Sequence, residues 1–259
     1  MSLTTALRSF AKRHLPEGQR GVLRRALWHV RRAAILLFRR GDLVALATLH
    51  GTDKWNAHWY CRHYARHFGA LRGRALTLLE IGVGGYKDPA AGGESLRMWK
   101  DYFPRATIAG MDIEDKRGLE ALRIRVFRGS QADPEFLRAV VRELGALDIV
   151  VDDGSHRPAD ILASFQTLFP LLSADGIYAI EDTQTSYWRE FGGREDDLTD
   201  PRTTMGWVKT LLDGLNVAEL RGSARAVTYT DQHVVAVHAY HNLVFIQKGL
   251  NEERSNIPG

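Results

Sequence analysis

The sequence predicts a doubly wound α/β fold: a mainly parallel, seven-stranded sheet finished by a terminal antiparallel hairpin, with a helical extension at the amino end. Three observations carry this. Short β-branched or apolar runs alternate with stretches of helical length, the cadence of strand, crossover helix and parallel strand. Two of those runs, LDIVVDDGSH and GIYAIEDTQ, stop abruptly in acids with room for one crossover between them, so both tips emerge on the same sheet edge. Near the carboxyl end, HVVAVHAY and LVFIQKG are separated only by His241 and Asn242, a connection that permits antiparallel pairing alone.

At 259 residues, with 44% hydrophobic and 25% charged side chains, the chain can bury a substantial core and is not a disordered polymer. Its single cysteine, Cys61, excludes an intramolecular disulfide and a multi-cysteine zinc site. That fits a reducing compartment, so a cytoplasmic location is expected.

Taken in order, residues 1–40 carry ten basic side chains against one acid, Glu17. From Val22 to Phe38 apolar residues recur at Leu23, Leu27, Val30, Ala34 and Leu37, which predicts a basic amphipathic helix whose stripe packs on the body or on a second subunit. The run AAILLF is too short to span a membrane, and no cleavage signature follows it. Helices are then expected over Leu43 to Leu49 and His58 to Phe68. Strands are expected over Leu76 to Ile81, Thr107 to Asp112, Ile124 to Arg128, Ile149 to Asp152 and Ile177 to Ile180. Helices between and after them are expected over Ser95 to Tyr102, Pro134 to Leu144, Pro158 to Leu172 and Met205 to Leu215. Thr185 to Thr204, with Gly192, Gly193 and several acids, reads as a long loop or lid over the sheet edge. The expected divisions are a basic extension over 1–42, a helical brace holding GTDK over 43–72, the α/β domain over 73–250 and a tail over 251–259.

LLEIGVGGYKD enters glycines at Gly82, Gly84 and Gly85 directly after a strand. A dinucleotide fingerprint would need glycine where Lys87 stands, and GYKDPAAGGE delays the next helix to about Ser95. A pyrophosphate needs helix amides at once, whereas a cofactor without phosphates tolerates the delay. S-adenosylmethionine, a nucleoside with a cationic amino acid end, fits such a loop. Glu80 is placed to face its ammonium or to order the loop. Asp112, at the next strand tip, is placed to accept ribose hydroxyls, and Ser130 and Gln131 to read an adenine edge.

Clustered carboxylates repel one another unless a cation or a proton holds them together. Asp153, Glu181 and Asp182 offer oxygens suited to magnesium, and a metal acidifies an alcohol enough for a neighbouring base to take its proton. His156, beyond Asp153 across Gly154 and Ser155, is the candidate base. Adjacent strand residues point to opposite faces, so Glu181 and Asp182 meet at one ion only if the chain turns there. Asp153 alone would equally cap the helix that starts near Pro158. His233, His238 and His241 have no acid partner in sequence and read as packed or surface histidines.

A parallel sheet finished by an antiparallel hairpin is the layout of class I, Rossmann-like methyltransferases. The stretches HGTDKWNAHWY, LLEIGVGG, GGESLRMWKDYFP, MDIEDK, VDDGSH and AIEDTQTSYW resemble the metal-dependent sugar O-methyltransferases of antibiotic biosynthesis. These are the mycinamicin and macrocin deoxysugar enzymes of macrolides and related rhamnosyl O-methyltransferases, and the resemblance covers roughly residues 43–250. It implies S-adenosyl-L-methionine and Mg2+ as cofactors and methylation of a deoxysugar hydroxyl on a glycosylated natural product. It implies a metal held by Asp153, Glu181 and Asp182, His156 as base, and cofactor contacts from Glu80, Gly82, Ser95, Asp112, Ser130 and Asp152. It also implies that the GTDK segment, with Thr52, Asp53 and Tyr60, lies close to the active site. The macrolide enzymes carry a large amino-terminal domain where this chain shows only the basic helix and the GTDK region.

Two other readings stand beside it. A small phenol or catechol is a substrate the same metal serves, although catechol-type enzymes use a lysine base with no equivalent near these tips. Trp188 and Trp207, near the expected lid, would stack on a sugar or an aromatic ring alike. The second is a non-catalytic membrane-binding or partner-binding module built on the arginine-rich segment. The expected partners are a small-molecule glycoside and further copies of the chain, with neither nucleic acid nor membrane.

Overall fold

The computed structural model describes residues 16–220 and 225–255. Residues 1–15 of the expected basic extension, with Arg8, Lys12 and Arg13, and residues 256–259 of the expected tail lie outside the described residues. The chain divides between Arg72 and Gly73 into two compact units.

The first unit is helical: α1 Glu17–Phe38, α2 Leu43–His50 and α3 Tyr60–Phe68. Asp42 caps α2 by accepting the Ala45 amide at 2.9 Å, and Gly51, left-handed at φ +80°, ends it. α1 packs on α2 by a face other than the expected stripe. Trp28 donates its indole N–H to the Leu49 carbonyl at 3.2 Å and Ile35 is 6% exposed, whereas Val30 and Leu37 are 67% and 76% exposed. The helix was legible, its packed face was not. Two apolar arcs run along it, and the one that carries an indole able to bond a free helix-end carbonyl is the one that docks.

The second unit holds a seven-stranded sheet in the order β3-β2-β1-β4-β5-β7-β6. The strands are β1 Thr77–Ile81, β2 Thr107–Asp112, β3 Ile124–Arg128, β4 Ile149–Asp152, β5 Ile177–Glu181, β6 Val234–Tyr240 and β7 Leu243–Lys248. β1 to β5 are parallel, and β7 runs antiparallel between β5 and β6. Strands β1, β4 and β5 are buried along their whole length, as a sheet covered on both faces requires. The covering helices are α4 Glu94–Tyr102, α5 Pro134–Leu144, α6 Pro158–Leu168 and α7 Thr204–Leu215, with the short α8 Tyr229–His233 before the hairpin. On one face Leu79, Ile81, Val150 and Ile180 meet Leu137, Ile161, Phe165 and Val208 in a continuous core.

Two expectations change in detail. The helix expected to reach Leu172 stops at Leu168 and tightens into a 3-10 turn, Phe169–Leu171, because Pro170 has no amide to continue it. The stretch expected as a loop is built of short turns: Thr183–Tyr187 and Arg189–Phe191 are 3-10, and Gly193 fits against the Thr185 carbonyl where no Cβ would. Asp200, 4% exposed, then gathers Arg194 and Arg202. Trp207 is half-buried and packs against the core, its ring 4.6 Å from that of Phe165. Among the described residues no helix is long and apolar enough to cross a membrane.

The carbonyls released where α6 ends are met by Lys248, whose ammonium donates to Pro170 at 2.8 Å and Leu172 at 2.7 Å. Lys248→Ala would bury both acceptors unpaired and should lower stability by about 2 to 4 kcal/mol. Urea unfolding of the full chain measures this, and an unchanged midpoint would show that the lysine is incidental to the α6 end.

Candidate active site

Strand order reverses between β1 and β4, since the chain leaves β1 outward to β2 and β3 and returns on the other side as β4. The carboxyl edge at such a reversal is a crevice, and both sequence features named above open into it. The loop after β1 and the turn after β4 touch directly. Gly82, at φ +88°, lies so close to the next strand that a Cβ would sit 2.1 Å from the Asp153 carbonyl. Asp153 in turn donates its amide to Ile81 at 3.0 Å.

The glycines divide into closed and open positions. A Cβ on Gly85 would meet the Ala91 carbonyl at 2.2 Å, and one on Gly92 the Gly84 carbonyl at 2.5 Å, so these two let the loop fold on itself. At Gly84, φ +75°, a Cβ would find nothing nearer than 4.0 Å. That position leaves bare backbone beside free space, the surface a flat nucleoside cofactor requires. Asp112 orders the same loop, its two oxygens accepting the Val83 and Glu114 amides at 2.9 Å each. Glu80, fully buried, accepts the Ser95 hydroxyl at 2.7 Å and so ties the start of α4 to β1. Lys116, also fully buried, braces the far side by donating to the Asp88 and Ala91 carbonyls at 2.5 and 3.1 Å.

At the acidic tips the chain does turn. Asp182 is left-handed at φ +52° and His156 at φ +56°, backbone states uncommon for residues with a side chain and concentrated where structure is held for a purpose. The two turns bring Asp153, His156 and Asp182 together, with donor atoms all within 4.8 Å of one another. His156 Nε2 lies 4.0 Å from Asp153 Oδ1 and 3.8 Å from Asp182 Oδ2, each side chain about one-fifth exposed. Among the described residues this is the group able to share a metal ion; its two carboxylates suit a hard divalent cation, while the imidazole beside them is a poor ligand for one. Glu181 stands apart from that group. It is the last residue of β5, 2% exposed, its backbone paired with Leu243.

Asp152 and Gln131 occupy a different place from the other candidates. Asp152 is 1% exposed and its carboxylate accepts from Gln131 Nε2 at 3.1 Å, Ser164 Oγ at 2.7 Å and Tyr178 OH at 2.7 Å. Burial pushes its carboxyl above the usual carboxylate range, and the three donors pull it back. Burial beside that carboxylate also raises the Tyr178 phenol. The other end of the Gln131 amide accepts the Ser155 N–H at 2.7 Å, so both its groups are spent on holding the turn that carries Asp153 and His156. Ser130 stays half-buried at the loop, its hydroxyl accepting the Ala132 amide at 3.2 Å.

Ser164, Tyr178 and Lys116 were not singled out from the sequence. Ser164 did leave a signal, a lone hydroxyl on the apolar face between Ile161, Phe165 and Leu168. In the helical unit Thr52, Lys54 and Tyr60 are buried and Asp53 is exposed.

A sheet ordered 3-2-1-4-5-7-6 with an open glycine loop at its reversal defines a class I methyltransferase fold. No protein-family model matches the chain. The Mycinamicin VI 2''-O-methyltransferase of Micromonospora griseorubida is 46% identical over 217 residues, 83% of this chain and 54% of that protein. The 8-demethyl-8-alpha-L-rhamnosyl tetracenomycin-C 2'-O-methyltransferase of Streptomyces olivaceus is 47% identical over 83% of this chain and 57% of its own length. Among solved structures, the MycE methyltransferase in complex with Mg, SAH and Mycinamycin VI matches with a TM-score of 0.79 and 45% identity, over 84% of this chain and 55% of that one. The matched part of the chain thus belongs to the family of sugar O-methyltransferases of macrolide and tetracenomycin biosynthesis. The chain spans about half the length of the curated relatives it matches.

Two substitutions separate the glycines' roles. Gly82→Ala should lower stability by about 3 kcal/mol or more through overpacking and backbone strain. Gly84→Ala should fold with a loss near 1 kcal/mol and weaken S-adenosylhomocysteine binding instead. Urea unfolding and calorimetric titration test both, and equal effects at the two positions would refute the distinction. Gln131→Leu should leave Asp152 and the Ser155 amide each short of a partner, lowering stability by about 2 kcal/mol. Unaltered stability would mean that water replaces the amide.

Proposed function

We propose that this chain is an S-adenosylmethionine-dependent, Mg-dependent O-methyltransferase acting on a deoxysugar hydroxyl of a glycosylated natural product. One observation carries the reading. Asp153, His156 and Asp182 converge at the sheet edge where the Gly84 backbone lies open, in a chain 46% identical to a sugar 2''-O-methyltransferase. The cofactor would lie along the glycine loop, with Asp112 and Ser130 toward its nucleoside and Glu80 ordering the loop from beneath.

Asp153 and Asp182 would hold the cation; Glu181, the residue before Asp182 at the end of β5, is the third carboxylate of the expected set and lies outside the group that the two turns gather. When bound, the cation supplies positive charge that brings a sugar hydroxyl's proton within reach of a neutral base. His156 is that base. Its Nε2 lies 4.0 Å from Asp153 Oδ1 and 3.8 Å from Asp182 Oδ2, beside the pair that would hold the cation, so the base and the bound hydroxyl would be neighbours. The left-handed turns at His156 and Asp182 keep base and carboxylates in register, so orientation is set before the substrate arrives. Cytoplasmic location and assembly into a homo-oligomer accompany this reading, and light scattering of the full chain tests the second.

Transfer of a labelled methyl group into a panel of rhamnosides, other deoxysugar glycosides and catechols, with and without chelator, tests the reading. Transfer should go to glycosides and stop with chelator. His156→Ala should retain cofactor binding and lose turnover by about a hundredfold or more. Chelator-insensitive transfer would remove the cation, catechol-only transfer would replace the substrate class, and near-normal turnover of the variant would remove the base.

A further inference from the structure

The glycine loop after β1 has no apolar core of its own. Its base is closed where Gly93 donates its amide to the Val83 carbonyl at 2.7 Å, and between those ends none of residues 84–91 is buried. Tyr86 is 92% exposed, with Lys87, Asp88, Pro89 and Ala90 exposed beside it. Compact surface loops are commonly packed by their own side chains, and this one is not. Hydrogen bonds hold it instead. The Asp88 amide donates to the Gly85 carbonyl at 3.1 Å and the Ala91 amide to the Asp88 carbonyl at 3.2 Å. Lys116, reaching in from the segment after β2, then takes the Asp88 and Ala91 carbonyls together at 2.5 and 3.1 Å.

That lysine is an expensive residue to place there. It is 0% exposed, and the acids nearest it in the chain and in the loop are engaged elsewhere, Asp115 with Arg117 and the Asp88 carboxylate with the Ala90 amide. A cation taken out of water beside no counter-charge relies on its hydrogen bonds for compensation, and both of these bonds go to the loop. We propose that Lys116 is a positioning residue for the cofactor, its ammonium holding the loop in the binding conformation before the ligand arrives so that Gly84 presents open backbone without further ordering. The proposal rests on the reading of this loop as the S-adenosylmethionine site. Without the ammonium the loop has two unpaired carbonyls and nothing apolar to fall back on. A loop that spends about a tenth of its time in the binding state lowers affinity about tenfold and leaves the chemistry of the bound complex untouched.

Calorimetric titration of the full chain with S-adenosylhomocysteine tests this. Lys248→Ala is the matched control, since that lysine also donates to two carbonyls but at the end of α6. Lys116→Met keeps an unbranched side chain and removes the donor. Its dissociation constant should rise about tenfold or more, and KM for S-adenosylmethionine with it, while kcat changes by less than about threefold. Lys248→Ala should lose stability yet bind within about twofold of the parent, because distant sites act independently. Parent-like affinity in folded Lys116→Met would overturn the proposal, and so would an equal loss in Lys248→Ala, which would make the effect one of general stability. Hydrogen exchange of the parent decides the matter if Lys116→Met does not fold. The Asp88 and Ala91 amides should exchange slowly before any ligand is added; fast exchange that slows only with S-adenosylhomocysteine would overturn the proposal, since the ligand would then order the loop. No binding by the parent itself would refute the cofactor reading and the proposal with it, a result distinct from a loss in the variant alone.

Discussion

A single buried carboxylate organises the candidate site. Asp152 ends β4 in the interior and draws in Ser164 from α6, Tyr178 from β5 and Gln131 from the loop after β3. Gln131 then passes the constraint on, because its second amide group holds the Ser155 N–H in the turn that presents Asp153 and His156. A buried carboxyl group is tolerated when its hydrogen bonds are made, so a shift of β4, β5 or α6 would cost one of these bonds. Asp153, which joins His156 and Asp182, and Asp152, which is bonded in the interior, are neighbours in sequence at the end of one strand.

The same logic explains the two left-handed residues. His156 and Asp182 each adopt a conformation that a side chain disfavours, and each is the hinge that directs a donor into the crevice. Strain of this kind persists only where surrounding contacts over-determine it. The Asp152 cluster supplies those contacts on one side. On the other, Thr183 donates its amide to the Asn242 carbonyl in the terminal hairpin, so the antiparallel finish of the sheet helps support the Asp182 turn.

The glycine loop does two jobs at adjacent positions. Gly82 allows β1 to abut β4, which couples the cofactor loop to the acidic turn through backbone contact, and Gly84 keeps open the surface the loop encloses. Lys116 and Asp112 hold the loop from its far side and its near side.

The amino-acid sequence alone determined the parallel cadence, the terminal hairpin, the glycine loop and the acidic tips, because each is a local pattern of period, turn length or residue type. Asp153, His156 and Asp182 were legible for that reason, whereas Glu181, read together with them, lies outside the group that the turns gather. Which residues work on which was decided only in three dimensions. Asp152 and Asp153 were given different roles by the resemblance, but only the structure shows Asp152 bonded in the core and Asp153 gathered with His156 and Asp182. Gln131, placed by the sequence beside an adenine edge, also bonds Asp152 and the Ser155 amide, partners on other elements that no local pattern announces. The face of α1 that docks was equally hidden: a helical period marks apolar arcs, and only the neighbouring helix chooses between them.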